Sequence, residues 1–397
     1  MIAFKNAAIY EPAGVIDGGV LLVSEGKIIG CGATSEVQIP PQARVIDMAG
    51  YRLLPGMIDL HVHGLLGFDA MGNGLVEVIR ELPRFGVTSF LATTHALPLD
   101  EINSRLQEMA DVLSHPPSGA CCLGIHLEGP YLSPEMAGMM PPEYLHPLTR
   151  EEFQVLQAVA RKHIRMLTLA PEEGDALHLI PYLTEQGVVP TIGHSNASYE
   201  LVSEAVELGL RHASHTFNAM RKFHHRDPGV VGAVLAFPQI TAQLIADGVH
   251  VHEGAMRALI NAKGVDGVCL VSDAAPCAGL PLGEYDWDGQ HLFWDGQACR
   301  MEDGTLAGAY HLMDTGFRNL LRLVGLEIEQ ATVCSSVVPS RVLGLETRKG
   351  RLLPGFDADL MVLNDACQVQ MTLVGGQVAW WAEDFNHVVE GMGQHDF

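Results

Sequence analysis

The chain is poor in basic residues. Its 397 residues include 24 Lys and Arg against 47 Asp and Glu, which gives a formal net charge of −23. A field of this sign repels phosphate backbones and anionic lipid headgroups. The charge balance therefore argues against nucleic acid and against an anionic membrane as partners. It still allows a small anion to bind in a locally basic pocket.

The sequence also lacks paired cysteine motifs and long apolar runs. Its eight cysteines include no C-x-x-C pair, which favours reduced, buried thiols over a disulfide framework. No apolar run reaches the ~20 residues that a membrane-spanning helix needs, and no signal-peptide pattern opens the chain. A composition that is 48% hydrophobic and 18% charged is typical of a packed enzyme-like protein. We therefore expect a soluble, cytoplasmic protein.

Strand-like and helix-like patterns alternate along the middle of the chain. Helix-type apolar spacing occurs at 75–85, 150–161, 199–208 and 253–262. Eight apolar runs are predicted to be strands, at 53–63, 88–94, 122–129, 164–172, 188–195, 212–218, 241–248 and 267–274. Eight such repeats are typical of a (β/α)8 TIM barrel.

Short alternating runs broken by glycine occupy both ends of the chain, a pattern typical of small antiparallel sheets. The two ends are predicted to pair as one small β-sandwich. The expected domains are therefore a sandwich from residues 1–52 and 346–397 and a catalytic α/β barrel from residues 53–345.

Polar side chains that can bind metals follow six of the eight predicted strands. His61 and His63 share a strand face because they lie two residues apart. The others are His126, Glu128, His194, His215, His250 and Asp273. The carboxyl ends of barrel strands meet at one face, so these side chains predict a metal site there. Any single histidine of this kind could instead be a satisfied hydrogen-bonding group, but six coincident cases favour the metal.

Imidazole with carboxylate is the ligand set of catalytic zinc and its first-row neighbours. Glu128, His194 and His215 suit one site, and His61 with His63 could complete a second. Asp273 is then the candidate general base, or alternatively a further metal ligand.

A basic loop follows the sixth predicted strand. Five of the six residues from Arg221 to Arg226 are cationic or imidazole side chains, among them His225. One interpretation is a solvated patch. Beside a metal site, an anion clamp is favoured, since arginine binds phosphate with two donors. We therefore expect an anionic small substrate, with a phosphate ester as the first choice.

These motifs resemble the amidohydrolase superfamily. The resemblance rests on Pro-Gly-Met-Ile-Asp-Leu-His-Val-His at 55–63, on the histidines at strand ends, on Asp273 and on the stretch 350–360. More narrowly, the stretches at 126–130, 193–197, 215–220, 226–229, 245–250 and 305–308 are similar to the N-acetylglucosamine-6-phosphate deacetylase family. The similarity extends in order over nearly the whole chain.

The resemblance implies roles for individual residues. It implies Glu128, His194 and His215 as principal metal ligands, His61 and His63 as ligands of a second ion, and Asp273 as the acid/base. Asn218, Ala219 and His250 match positions that bind the sugar phosphate. Arg226 matches an arginine that binds phosphate in a neighbouring subunit, which implies a homodimer. The implied activity is metal-dependent removal of acetate from a phosphorylated N-acetyl amino sugar, with N-acetylglucosamine 6-phosphate as the first choice and N-acetylgalactosamine 6-phosphate as the alternative.

One departure from the family pattern concerns the acyl carbonyl. Met140 stands where the family usually has a histidine that polarises this group, and losing one such donor typically costs ~10²–10³ in rate. We hypothesise that His95, an unusual extra histidine after the second strand, supplies the donor.

Three other functions fit the same residues less well. A barrel that binds a phosphosugar without turnover would have no need of Asp273. A dihydroorotase-like activity usually needs a carbamylated lysine after the fourth strand, where this chain has Thr168-Leu-Ala-Pro-Glu. A nucleobase deaminase would leave the basic loop without a purpose.

Overall fold

The computed structural model describes residues 1–389, and eight of its strands form a parallel barrel. In chain order, the first to eighth barrel strands are Met57–Val62, Val87–Thr93, Cys121–Leu127, Ile164–Leu169, Val189–Ile192, His212–Ala213, Thr241–Ile245 and Val268–Val271. Backbone hydrogen bonds join the end of the eighth strand to the end of the first. His63 N donates to Ala274 O at 2.9 Å, and Asp273 N donates to His61 O at 2.8 Å. The predicted (β/α)8 barrel is confirmed.

Most of the α-helices pack around the barrel, and several of them are amphipathic. The α-helices are Leu75–Glu81, Leu99–Ser114, Arg150–Val159, Ala176–Glu185, Tyr199–Glu207, Gly229–Ala236, Glu253–Lys263, Met313–Asn319, Ile328–Thr332, Val338–Val342 and Asn386–Val389. The helix Leu99–Ser114 buries Ile102, Leu106 and Met109, whose spacing of three to four residues places them on one side. Among the described residues, no helix is both long and apolar enough to cross a bilayer.

Both ends of the chain contribute to a small β-sandwich domain, as predicted. Its strands are Ile2–Glu11, Gly14–Ser24, Lys27–Gly32, Arg44–Asp47, Arg52–Pro55, Leu360–Leu363, Val369–Val374 and Gln377–Trp381. They enclose a separate apolar core that includes Phe4, Leu21 and Met371. The division at residues 52/53 and 345/346 stays a proposal, and the last part of the segment 346–397 lies outside the described residues.

The run 53–63 was predicted to be one strand, and the structure divides it into two. Arg52–Pro55 pairs in the sandwich domain and Met57–Val62 in the barrel. Gly56 lies between them, where an added Cβ would stand 2.1 Å from the Thr88 side chain. Only glycine allows the backbone to pass so close to its neighbour.

A separate antiparallel sheet follows the eighth barrel strand, and the sequence analysis did not predict it. We call its strands, Gly283–Trp287, Gln290–Trp294 and Cys299–Met301, the hairpin sheet. Asp288 and Gly289 form its first turn, both with positive φ, as the common two-residue hairpin turn requires. Trp287 packs against His63, with ring centroids 5.5 Å apart. The hairpin sheet thus contacts the carboxyl end of the barrel.

Candidate metal centre and substrate pocket

Six polar side chains at the carboxyl ends of barrel strands converge on one buried point. They are His61, His63, Glu128, His194, His215 and Asp273, each at most 8% exposed. Glu128 lies at the centre of the group. Its Oε2 is 3.2 Å from His61 Nε2 and 3.3 Å from His63 Nε2. Its Oε1 is 3.1 Å from His215 Nε2 and 3.7 Å from His194 Nε2. One carboxylate therefore spans all four imidazoles.

Asp273 completes the cluster from the eighth barrel strand. Its Oδ1 lies 3.3 Å from Nε2 of both His61 and His63, whose own Nε2 atoms are 3.3 Å apart. The backbone of Asp273 has φ +53°, and those of His194 and Ala219 have φ +43° and +48°. Such conformations are strained for residues other than glycine and cluster at functional sites. The bonds that close the barrel hold Asp273 in this conformation.

These residues fit a divalent cation. Two sets of three place their ligand atoms within 4.8 Å of one another, namely His61, Glu128 and His215, and His61, His63 and Asp273. Imidazole nitrogen with carboxylate oxygen is the donor set of zinc and its first-row neighbours. The Nε2 atoms of His61 and His194 face the cluster, while their Nδ1 atoms contact other groups. Such an arrangement leaves one nitrogen of each ring available as a ligand.

The electrostatics of the cluster favour a cation. Burial acts to raise the pKa of Glu128 and of Asp273, but His61, His63 and His215 together outweigh it and hold both carboxyl pKa values below their ordinary range. Burial acts to lower the pKa of His63, yet its hydrogen bonds to Asp273 and Glu128 raise that pKa to about 10. Burial lowers the pKa of His194 to about 4, so this ring is neutral. Two buried carboxylates thus remain charged and attract positive charge.

Gln243, in the seventh barrel strand, orients two of the histidines from below. Its Oε1 lies 3.0 Å from His61 Nδ1 and accepts a hydrogen bond from His215 N at 3.2 Å. Its Nε2 lies 3.1 Å from His212 Nε2. Gln243 is not among the site residues predicted from the sequence. The sequence signal that could have indicated Gln243 is an amide side chain within the mainly apolar strand Thr-Ala-Gln-Leu-Ile.

An open pocket of about 220 Å³ lies above the cluster. Met140, Asn218, Ala219 and His250 line it together with His63, Glu128, Gly138, Met139, His194, His215, Asp273, Thr305, Leu306 and Gly308. Met140 is 4% exposed, and its sulfur lies 3.4 Å from Ala96 N. His250 Nδ1 lies 2.7 Å from Asp247 Oδ2. The wall therefore offers both apolar and polar contacts to a ligand.

Gly138 passes close to a candidate ligand. With φ +63°, it lies where an added Cβ would stand 3.2 Å from His194 Cε1. A side chain at this position would press on the imidazole. The absence of a side chain here therefore gives His194 room to occupy its position.

Apart from His61, which belongs to the cluster beneath, three predicted site residues lie outside the residues that line this pocket. His95 Nε2 is 2.8 Å from Asp288 Oδ2, and its ring packs against Trp287 with centroids 4.9 Å apart. His225 and Arg226 are exposed, and Arg226 Nη1 lies 2.9 Å from His225 Nε2. Within one chain, the structure does not bring these residues to the cluster.

Comparison with known proteins places the chain in a family. The model of the amidohydrolase family matches residues 52–379. This chain belongs to the amidohydrolase family. The resemblance seen in the sequence is therefore confirmed.

Named relatives of this amidohydrolase share one kind of activity. It is 34% identical over 385 residues to the N-acetylglucosamine-6-phosphate deacetylase of Lysinibacillus sphaericus, covering 95% of this chain and 97% of that one. It is 36% identical over 330 residues to the N-acetylgalactosamine-6-phosphate deacetylase of Escherichia coli O157:H7, covering 82% and 87%. The crystal structure of N-acetylglucosamine-6-phosphate deacetylase from Thermotoga maritima superposes with a TM-score of 0.87 at 30% identity, covering 96% and 100%.

Proposed function

We propose that this amidohydrolase removes the acetyl group from N-acetylglucosamine 6-phosphate, releasing acetate and the free amine. The alternative substrate is N-acetylgalactosamine 6-phosphate, which the relative from Escherichia coli supports. The observation that carries the proposal is the convergence of Glu128, His194, His215 and Asp273 beneath an open pocket. It occurs in a chain similar over nearly its full length to deacetylases of this name.

The proposed metal is zinc. Glu128, His194 and His215 are the proposed principal ligands, and His61 with His63 would serve a second ion. A divalent cation held there supplies Lewis acidity that polarises the amide carbonyl and makes water more acidic.

Asp273 is the proposed acid/base. Its buried carboxylate takes a proton from the attacking water and then delivers that proton to the departing nitrogen. Burial acts to raise the pKa of Asp273, but His61, His63 and His215 together lower it, which supports a carboxylate that begins the cycle ionised.

Other residues are proposed to position the sugar phosphate. Asn218, Ala219 and His250 contact the sugar from the pocket wall. His225 and Arg226 bind the phosphate of a substrate in the neighbouring subunit of a homodimer. Both are exposed and neither lines the pocket of its own chain, which supports a role across an interface. The proposed location is the cytoplasm.

Met140 and His95 are the two residues that concern polarisation of the substrate's acyl carbonyl. Met140 lines the pocket and has no proton to donate. The hypothesis that His95 polarises the carbonyl requires movement of Trp287, against which His95 packs.

Acetate release by the zinc-loaded protein tests the reaction. Both epimers are offered in parallel, with Asp273→Asn as the inactive control. Turnover of one epimer that is lost in the control supports the proposal and identifies the sugar. If neither epimer is turned over while calorimetry detects their binding, the protein is instead a phosphosugar-binding barrel.

Arg226→Ala separates the role in phosphate binding from the chemistry. We expect a higher KM for the phosphorylated sugar and an unchanged KM for its unphosphorylated form. A dimer detected by light scattering is part of the same expectation, because Arg226 acts across the interface.

A further inference from the structure

Two cysteines meet where the hairpin sheet contacts the barrel. The Sγ atoms of Cys277 and Cys299 lie 2.8 Å apart, and the residues are 2% and 0% exposed. A disulfide has an S–S length of about 2.05 Å. The two sulfurs therefore need only a small movement to form a bond.

The pair connects two segments of different character. Cys277 lies four residues after Asp273, in the loop that leaves the eighth barrel strand. Cys299 begins the third strand of the hairpin sheet, which pairs with no other sheet in the described part of the chain. A small apolar cluster that includes both cysteines, Trp287 and Leu292 packs the hairpin sheet against this loop. A covalent bond at this point would close a loop that contains two complete hairpin strands.

We propose that Cys277 and Cys299 form a reversible disulfide that fixes the hairpin sheet to the loop carrying Asp273. The proposed oxidant is a peroxide of the hydrogen peroxide class. The proposal concerns a covalent modification site and is independent of the deacetylase reaction.

The two thiols have different roles in the oxidation. The Cys277 thiol donates a hydrogen bond to the Cys299 sulfur, and this bond lowers the pKa of Cys299 although burial opposes it. Cys299 is therefore the attacking thiolate and Cys277 the resolving thiol. The Cys299 sulfur attacks one peroxide oxygen, the O–O bond breaks, and a sulfenic acid and one water form. The Cys277 sulfur then attacks the Cys299 sulfur, the S–O bond breaks, and the released hydroxide leaves as water with the Cys277 proton. Two thiols lose two electrons, and one peroxide is reduced to two waters.

Local opening gives the oxidant access to the buried sulfurs. The strands of the hairpin sheet have five, five and three residues, and Leu282 at its edge is 69% exposed. Among the described residues these short strands pair with no other sheet, so they open at lower free energy than the barrel. The disulfide should restrict this opening.

Peptide mapping after peroxide treatment of the zinc-loaded full chain tests the proposal. Free thiols are counted and alkylated before and after oxidation, and again after dithiothreitol. We expect the free thiols to fall from eight by two, with one cross-linked peptide pair containing Cys277 and Cys299 that dithiothreitol separates. Amide hydrogen exchange in 283–298 should be slower in the oxidised protein.

Variants distinguish this pair from the remaining thiols. Cys299→Ala should abolish the loss of the thiol pair, whereas Cys31→Ala, a half-buried cysteine of the sandwich domain, should leave it intact. The proposal is overturned if the wild-type protein gives no such cross-linked peptide, or gives it only after unfolding in urea. Mapping of the wild-type protein decides this even where a variant fails to fold.

Discussion

Gln243→Leu is expected to weaken metal binding although it replaces none of the proposed ligands. The substitution removes the oxygen that lies 3.0 Å from His61 Nδ1 and that accepts the backbone N–H of His215. Leucine has a similar size, so it leaves no room for a water molecule to replace the lost acceptor. The His61 ring is then free to change tautomer or to rotate away from Glu128.

The size of the effect follows from these contacts. Loss of a group that orients a metal ligand typically lowers metal affinity ~10–100-fold, which corresponds to roughly 1.4–2.7 kcal/mol. Each buried donor left without an acceptor costs about 1–3 kcal/mol of folding stability. Gln243→Leu should therefore also lower the melting temperature of the metal-free protein.

A competition titration measures the metal affinity directly. Metal-free protein competes with a chromophoric chelator for zinc, and the dissociation constant is compared among the wild type and the Leu and Glu variants. Gln243→Glu keeps an acceptor for His61 and adds negative charge, which increases the basicity of a ligating imidazole. Zinc affinity should therefore be retained or increased in this variant. Equal affinities for the Leu and Glu variants, within about threefold, would refute the reasoning.

Three further substitutions give expectations that separate folding from function. Lys349→Met removes a buried cation 3.2 Å from Asp357 and should cost about 3 kcal/mol of unfolding free energy at pH 7, measured by urea denaturation. Burial acts to raise the pKa of Asp357, but Lys27 and Lys349 outweigh it and lower that pKa. The stabilisation is therefore present above the ordinary carboxyl pKa and is lost as the pH falls through the lower pKa of the folded state. The difference in unfolding free energy between variant and wild type should therefore shrink below about pH 4. Gly138→Ala places a methyl group against the imidazole of His194 and strains a backbone with positive φ. We therefore expect weaker zinc binding in the same competition titration. An unchanged zinc affinity would contradict the packing argument. His95→Ala tests the hypothesis that this histidine polarises the acyl group: a fall in kcat of ~10²-fold supports it, while unchanged kcat rules it out.

Local patterns were sufficient to predict the barrel. All eight predicted strands overlap observed ones, because strands of a parallel barrel are buried on both faces and therefore appear in the sequence as short apolar runs with breaks between them. The sixth was predicted as 212–218 but pairs only at His212–Ala213. Beyond that point the chain leaves the sheet, and Phe217 adopts φ +83°. The geometry that places His215 in the cluster thus ends the strand early.

Local sequence patterns could not predict contacts between residues that are distant in the sequence. The hairpin sheet gave a local signal in its Asp-Gly turn, but its packing of Trp287 against His63 depends on residues more than 200 positions apart. The same holds for Gln243, which is 182 residues from His61.

By itself, the sequence determined the type of barrel and which side chains stand at its carboxyl end, because strand period and strand polarity are local properties of the chain. Only the tertiary structure decided which of those side chains meet. Barrel closure between the first and eighth strands places Asp273 within 3.3 Å of His61 and His63. It also decided that Cys277 meets Cys299, and that His95 lies against Trp287 outside the pocket lining. These outcomes depend on packing free energies summed over many distant contacts, which no local spacing encodes.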